Sequence, residues 1–323
     1  MGWPGGGAGW HSSSQQRLNG TIAPRARPLM QVIEQGNLML RPALIAVALA
    51  GVAAPAFAQN TDPAPAPAST LPDPNDNKDQ LTIGVGGAYV PDYTGSSHYR
   101  LTPAAIVRGR VSGISFTTRG PAIEVNLIPR SKEKFSFSAG PIAALGLNRT
   151  GKIKDPLVAL LPRRKKAIEL GGFVGGSFHG LTNPYDSLGA KVAVTHDVGH
   201  AHRSTIVSPS VDFSTPLSRS TYVGVSAGLD FVSTRYAQYY FGVTPAEAAL
   251  STLPAFAPKG GLKDWKVNLL AVQSLSGNLL KGLSLGGTLG YSRLQGDFKR
   301  SPLVAQRGKA GQWLGAVGLG YSF

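Results

Sequence analysis

From residue 80 to residue 323 the sequence has a period of two. In residues 222–231, Val223, Val225, Ala227, Leu229 and Phe231 alternate with Tyr222, Gly224, Ser226, Gly228 and Asp230. In residues 283–292, Leu283, Leu285, Leu289 and Tyr291 alternate with Ser284, Gly286, Thr288, Gly290 and Ser292. Residues 135–147, 187–195 and 205–214 read the same way. On a pleated strand each set lies on one face of a sheet. A soluble sandwich would turn the apolar set inward, whereas a transmembrane barrel turns it out to lipid. Here the other face is mostly Gly, Ser and Thr rather than a varied solvated surface. The longer segments run about 10–14 residues, near the about 9–11 a tilted strand needs to cross hydrocarbon. Sandwich strands average about 5–6. The expectation is an all-β, antiparallel transmembrane β-barrel.

The last residues sharpen it. Counting back from Phe323, the outward set is Tyr321, Leu319, Val317, Gly315 and Trp313, and the inward set is Ser322, Gly320, Gly318, Ala316 and Leu314. Tyr321 and Phe323 resemble the terminal signal that the barrel-assembly machinery reads in bacterial outer-membrane barrels. An open sheet edge is not tolerated in lipid, so the last strand must close on the first. Strands are expected at 80–89, 100–109, 113–119, 122–129, 134–148, 167–178, 186–196, 203–214, 219–233, 264–275, 281–296 and 312–323. That makes twelve, or ten if Pro103 and Pro121 break the second to fourth. One set of connections is then short. The opposite, extracellular set includes the long segments 90–99, 149–166, 234–263 and 297–311.

The first 79 residues do not belong to this pattern. Arg41, the apolar run 43–54 and Ala56-Phe57-Ala58 form a secretory signal, with cleavage after Ala58. Residues 1–29 read as an over-called start or a disordered leader. Residues 59–79, rich in Pro, Ala and Asp, read as a disordered linker. The organisation is leader 1–58, linker 59–79 and barrel 80–323, and the expected location is the cell outer membrane. The apolar run of twelve residues is too short for a membrane-spanning helix. The absence of Cys removes disulfides, thiolate metal sites and thiol catalysis.

Lys and Arg number 32 against 17 Asp and Glu, a formal charge of +15. The basic residues cluster in the long connections, at Lys152, Lys154, Arg163, Arg164, Lys165 and Lys166, then Lys299, Arg300, Arg307 and Lys309. In an exported barrel this suits an anionic lipopolysaccharide leaflet rather than nucleic acid. His196, His200 and His202 with Asp197 are the only metal candidates. Their spacing matches no metalloprotease helix, and solvated loop histidines are the simpler expectation. No hydrolase elbow, Walker loop or dinucleotide fingerprint occurs, so no cofactor is expected. Asp197 and His196 could also be read as a rim hydrolase pair.

Residues 236–261 carry Tyr239-Tyr240-Phe241-Gly242-Val243, then Thr244-Pro245-Ala246-Glu247, then Leu253-Pro254-Ala255 and Gly260-Gly261. On physics alone, Tyr239, Tyr240 and Phe241 suit an aromatic girdle at the outer interface. Thr244, Pro245 and Glu247 suit the start of a short helix in a loop that folds over the barrel mouth. The stretch resembles the most characteristic segment of the MipA/OmpV family of outer-membrane proteins. The opening, with residues 84–90, Tyr93 and Gly95-Ser96, is similar too. The resemblance implies a non-enzymatic scaffold for murein-remodelling enzymes, a lytic transglycosylase and a synthase. A small channel and an adhesin-like surface protein are the alternatives.

Overall fold

The computed structural model describes residues 79–131 and 133–323. The leader, the cleavage site at Ala56 and Ala58 and linker residues 59–78 lie outside the described residues. Twelve antiparallel strands follow one another around a closed barrel: β1 (Gln80–Pro91), β2 (Tyr99–Val111), β3 (Ile114–Arg119), β4 (Ala122–Asn126), β5 (Phe135–Gly146), β6 (Ala167–His179), β7 (Ser187–Asp197), β8 (Thr205–Pro216), β9 (Thr221–Val232), β10 (Gly261–Ser274), β11 (Gly282–Leu294) and β12 (Gly311–Ser322). No expected strand end is off by more than three residues. β12 pairs with β1 to close the wall.

The outer wall is apolar. Val225, Leu229 and Phe231 on β9 and Val317, Leu319 and Tyr321 on β12 are exposed on it. Aromatic residues mark both rims, as interfacial girdles do. At one end Tyr89 stacks on Tyr99 at 5.0 Å, and Tyr291 lies 5.5 Å from Trp265 and 4.9 Å from Trp313. At the other end Phe135 meets Phe178 at 4.7 Å and Tyr321 meets Phe323 at 4.9 Å. Tyr239, Tyr240 and Phe241 are not part of either girdle. They lie on a helix, and Tyr240 and Phe241 are almost fully buried.

The wall closes tightly on small residues. Gly86 faces Gly318 across the β1–β12 seam, and a Cβ on Gly86 would stand 2.1 Å from the Val317 carbonyl oxygen. Charged pairs occupy the interior. Lys191 of β7 reaches over β5 and β6 to Glu124 of β4, with Nζ 2.7 Å from Oε2. Lys263 and Lys266 of β10 both hold Asp230 of β9, at 2.9 and 2.7 Å.

β3 and β4 are short, and they join the wall weakly. Only 108–111 of β2 pair with β3, and only 122–124 of β4 pair in register with β5. Thr118 ends the β2–β3 ladder: its hydroxyl accepts the Val107 N–H at 2.9 Å and donates to the Val107 carbonyl at 3.4 Å. Beyond it, residues 99–106 of β2 have no ladder partner on that side. Strand alternation puts the backbone groups of Val107, Ala105 and Pro103 on the same edge. Pro103 therefore lacks an N–H where no partner waits, as proline at an edge should. This is why the proline leaves the count at twelve.

The termini and the short turns share one end. The long loops share the other, and five short helices sit in them: α1 (Pro156–Ala159), α2 (Thr234–Phe241), α3 (Pro245–Ser251), α4 (Gly296–Arg300) and α5 (Pro302–Ala305).

Candidate functional site

The long loops fold into a single cap with its own core. One apolar cluster joins Val232, Tyr236, Ala237, Tyr240 and Phe241 to Leu294, Phe298 and Val304. A second joins Tyr93, Val158 and Leu161 to Val243, Leu253 and Leu303. Burial of these side chains is the main favourable term holding the loops together.

α2 is amphipathic in an unusual setting, because both flanks are covered. Tyr236 lies under the Lys263 ammonium, 5.7 Å from its ring, on the β10 side of the barrel. At the other end, a Cβ on Gly146 of β5 would sit 3.4 Å from the Tyr240 hydroxyl. The helix thus crosses the mouth from β10 to β5. Burial raises the Tyr236 phenol to about 12 and raises Tyr240 further. Both remain neutral at physiological pH. α3 begins with the anticipated N-terminus: the Thr244 hydroxyl accepts the Glu247 N–H at 3.2 Å, and Glu247 accepts the Thr244 N–H at 2.9 Å.

Polar ties cross between loops. Arg164 meets Glu247 at 3.0 Å and lies over the Tyr239 ring at 5.2 Å. The Lys165 N–H donates to the Tyr239 hydroxyl at 2.8 Å. Asp155 caps α1 by accepting from Leu157 and Val158, and holds Arg307 at 2.9 Å. Ser301 donates to the Phe241 carbonyl at 2.6 Å, and Tyr93 to that of Leu303 at 3.0 Å. Gln312 accepts the Gly95 N–H and donates to the Ser96 carbonyl. Arg149 is about 1% exposed and donates to the Tyr240 carbonyl at 3.2 Å, while its Nε and Nη2 have no protein partner. Burial, reinforced by Arg164, pushes its guanidinium down to about 10, so it stays charged.

The motif residues therefore split by role. Tyr240, Phe241, Val243 and Leu253 are core of the cap. Gly242 ends α2, where a Cβ would stand 2.5 Å from the Gln238 carbonyl oxygen. Pro254 and Ala255 lie in the link back toward β10, exposed. The basic cluster divides as well: Arg164 and Arg307 are spent inside the cap, whereas Lys152, Arg163, Lys165, Lys166, Lys299 and Lys309 are exposed.

The three histidines do not converge. His196 faces outward and bonds the Thr205 hydroxyl at 3.0 Å. His200 sits in the turn with φ 58. His202 is buried, 3.2 Å from Glu169, against the rings of Tyr236 and Tyr240. Among the described residues no group of three His, Cys, Asp or Glu could hold a metal ion. Asp197 accepts the backbone N–H groups of Gly199, His202 and Arg203, so it shapes the turn. His196 and Asp197 are strand neighbours on opposite faces.

The family profile described as MltA-interacting protein MipA matches residues 83–323. The chain belongs to the MipA family. No curated protein matches the sequence. Among solved structures, an outer membrane channel from Pseudomonas putida F1 is similar at 10% identity, covering 78% of this chain and 99% of that one, with a TM-score of 0.40. The CymD monoaromatic hydrocarbon channel is similar at 11% identity, 77% and 90% coverage and a TM-score of 0.37. The DcaP outer membrane channel of Acinetobacter baumannii follows at 12%, 74% and 72%, with 0.32. All three likenesses are distant. MipA-family membership and a closed twelve-stranded barrel with an apolar outer wall make this an outer-membrane protein.

Proposed function

We propose that the chain is a non-catalytic outer-membrane scaffold that docks murein-remodelling enzymes, a lytic transglycosylase and a synthase. The match to the MltA-interacting protein family over 83–323 carries this reading. The end opposite the cap supports it. There the short turns expose Leu181 and Leu217, one on each of two turns. With the loops outside, these leucines face the periplasm, where murein lies. Exposed apolar side chains on a polar rim are what a protein partner buries. On the cap, the exposed lysines and Arg163 would meet lipopolysaccharide phosphates. Phe323 would present the chain to the barrel-assembly machinery.

The test is site-specific photocrosslinking from Leu181 and Leu217 in intact envelopes, followed by mass spectrometry. The expected product is an adduct with a murein hydrolase or synthase, and the adduct formed from position 181 is lost in the Leu217→Ser variant. Adducts restricted to lipid, or to proteins that do not act on murein, would sink the proposal.

A small channel is the second reading. The observation in its favour is the interior face of β11, where Ser284, Gly286 and Thr288 are small and a Cβ on Gly286 would meet nothing nearer than the Val272 Cγ2 at 3.9 Å. α2 and the Lys191–Glu124 bridge oppose it.

A further inference from the structure

We infer that the barrel wall carries a lateral window that takes a phosphate-bearing lipid from the outer leaflet. The inference uses only the barrel and its cap and stands apart from the docking reading.

Four sides define the window. On one side runs the unpaired edge of β2, residues 99–106. Below lies the tip of the β3–β4 hairpin at Gly120. On the far side is the end of β5, tied to that tip by the Leu145 N–H on the Pro121 carbonyl at 3.0 Å. Above, the loop after β5 returns to β2, where Lys154 donates to the Tyr99 carbonyl. Tyr99 stands in the outer girdle, so Leu101, Pro103 and Ala105 beneath it lie at hydrocarbon depth. Leu101 is 77% exposed on the lipid face. Ile106 faces the interior by register, yet it is 45% exposed.

A cavity of about 290 Å³ lies behind the window, and its lining comes from both sides: Arg100 from β2, Gly146 at the end of β5 and Leu147 just past it, with Tyr236 and Tyr240 at the back. The Tyr240 hydroxyl is buried and has no protein partner, although the residue is only 2% exposed. The Arg100 Nε is buried and unpartnered as well. Leaving such donors unsatisfied is costly, and native structures rarely do so without a ligand or water. The two acids in the lining are engaged: Asp92 accepts the Lys154 N–H at 3.1 Å, and Glu169 is 3.2 Å from His202. The two buried side-chain atoms of the lining that lack a partner are both donors, one of them on a cation. They call for acceptor oxygens, and a phosphate supplies several. An unpaired strand edge facing lipid is itself a cost in hydrocarbon. Acyl chains lying along the edge would leave that cost in place. Ester oxygens just below the phosphate would accept the free N–H groups of Leu101 and Ala105.

Native mass spectrometry of the detergent-folded protein tests this. The probes are phosphatidylglycerol, lipid A and diacylglycerol, added separately; the last has tails and no phosphate. One lipid per barrel is expected for phosphatidylglycerol or for lipid A, which identifies the source, and none for diacylglycerol. Tyr240→Phe and Arg100→Gln should each lower retention at least about tenfold, the usual worth of a hydrogen bond to a charged group. A heat-dependent gel shift in each variant verifies the folded barrel. A photoactivatable acyl chain should label residues 101–106. Retention of neither phosphate lipid, equal retention of diacylglycerol, or unchanged retention in both variants overturns the inference.

Discussion

Glu247 and Asp155 are two of the residues through which pH reaches the cap. Burial pushes Glu247 upward, but the Thr244 N–H and Arg164 outweigh it, and the net shift is down. Asp155 is likewise pushed up by burial and brought down further by the Val158 N–H and Arg307. A depressed carboxyl stabilises the fold above its unfolded pKa, about 4, and that contribution is lost as pH falls through the lower folded value. Acid should therefore loosen the cap and spare the wall. Hydrogen exchange, corrected for intrinsic rate, should show faster amides in residues 149–166 and 244–251 at pH 3 than at pH 7, with strand amides unchanged. Arg164→Met should produce the same loosening at pH 7, since it leaves Glu247 buried without its cation at a cost of about 3 kcal/mol. Equal exchange in variant and parent would refute this. Little of it was legible beforehand. Arg164 read as one of four surface cations in a row, because only folding brings it against a glutamate 83 positions away. Arg149 carried no signal at all, being a single arginine at the end of a strand.

Elements were legible to the extent that their pattern was local. The strands announced themselves because alternation needs only neighbours, and the Thr244–Glu247 box because it spans four residues. α2 did not. Eight residues with aromatics on several sides show no clear period, and Tyr-Tyr-Phe is as good a girdle as a core. The true girdle was hidden for the opposite reason. Trp265, Tyr291 and Trp313 stand on three different strands and meet only once the register is known. The seam offers an element-scale prediction. Gly86→Ala puts a methyl group against the Val317 backbone, which has no rotamer to yield, whereas Gly87→Ala meets nothing nearer than the Leu101 Cδ1 at 3.7 Å. In outer-membrane fractions, Gly86→Ala should lose most of the heat-modifiable band and Gly87→Ala should keep it. Equal bands would mean that the β1–β12 approach is looser than the register implies.

At the scale of the whole molecule, the barrel class and the crowding of long loops at one end followed from periodicity and strand count. That the loops form a solid cap did not, because its contacts join segments that are far apart in sequence. The cap makes a prediction for the intact protein. In planar bilayers the native chain should show no steady conductance above background, and deletion of residues 234–252 should open steps of single-channel size. Steady conductance from the native chain would favour the channel reading over a closed scaffold. The cap has a consequence for biogenesis as well. Its core draws Tyr93 from the first long loop and Leu303 from the last, and Gln312 on the final strand binds the loop that follows the first. Nothing covalent holds these segments, since the chain has no cysteine. The cap therefore assembles only when the first and last staves stand side by side. A barrel stalled one strand short would display its loops unfurled, and a surface protease would distinguish it from a finished one.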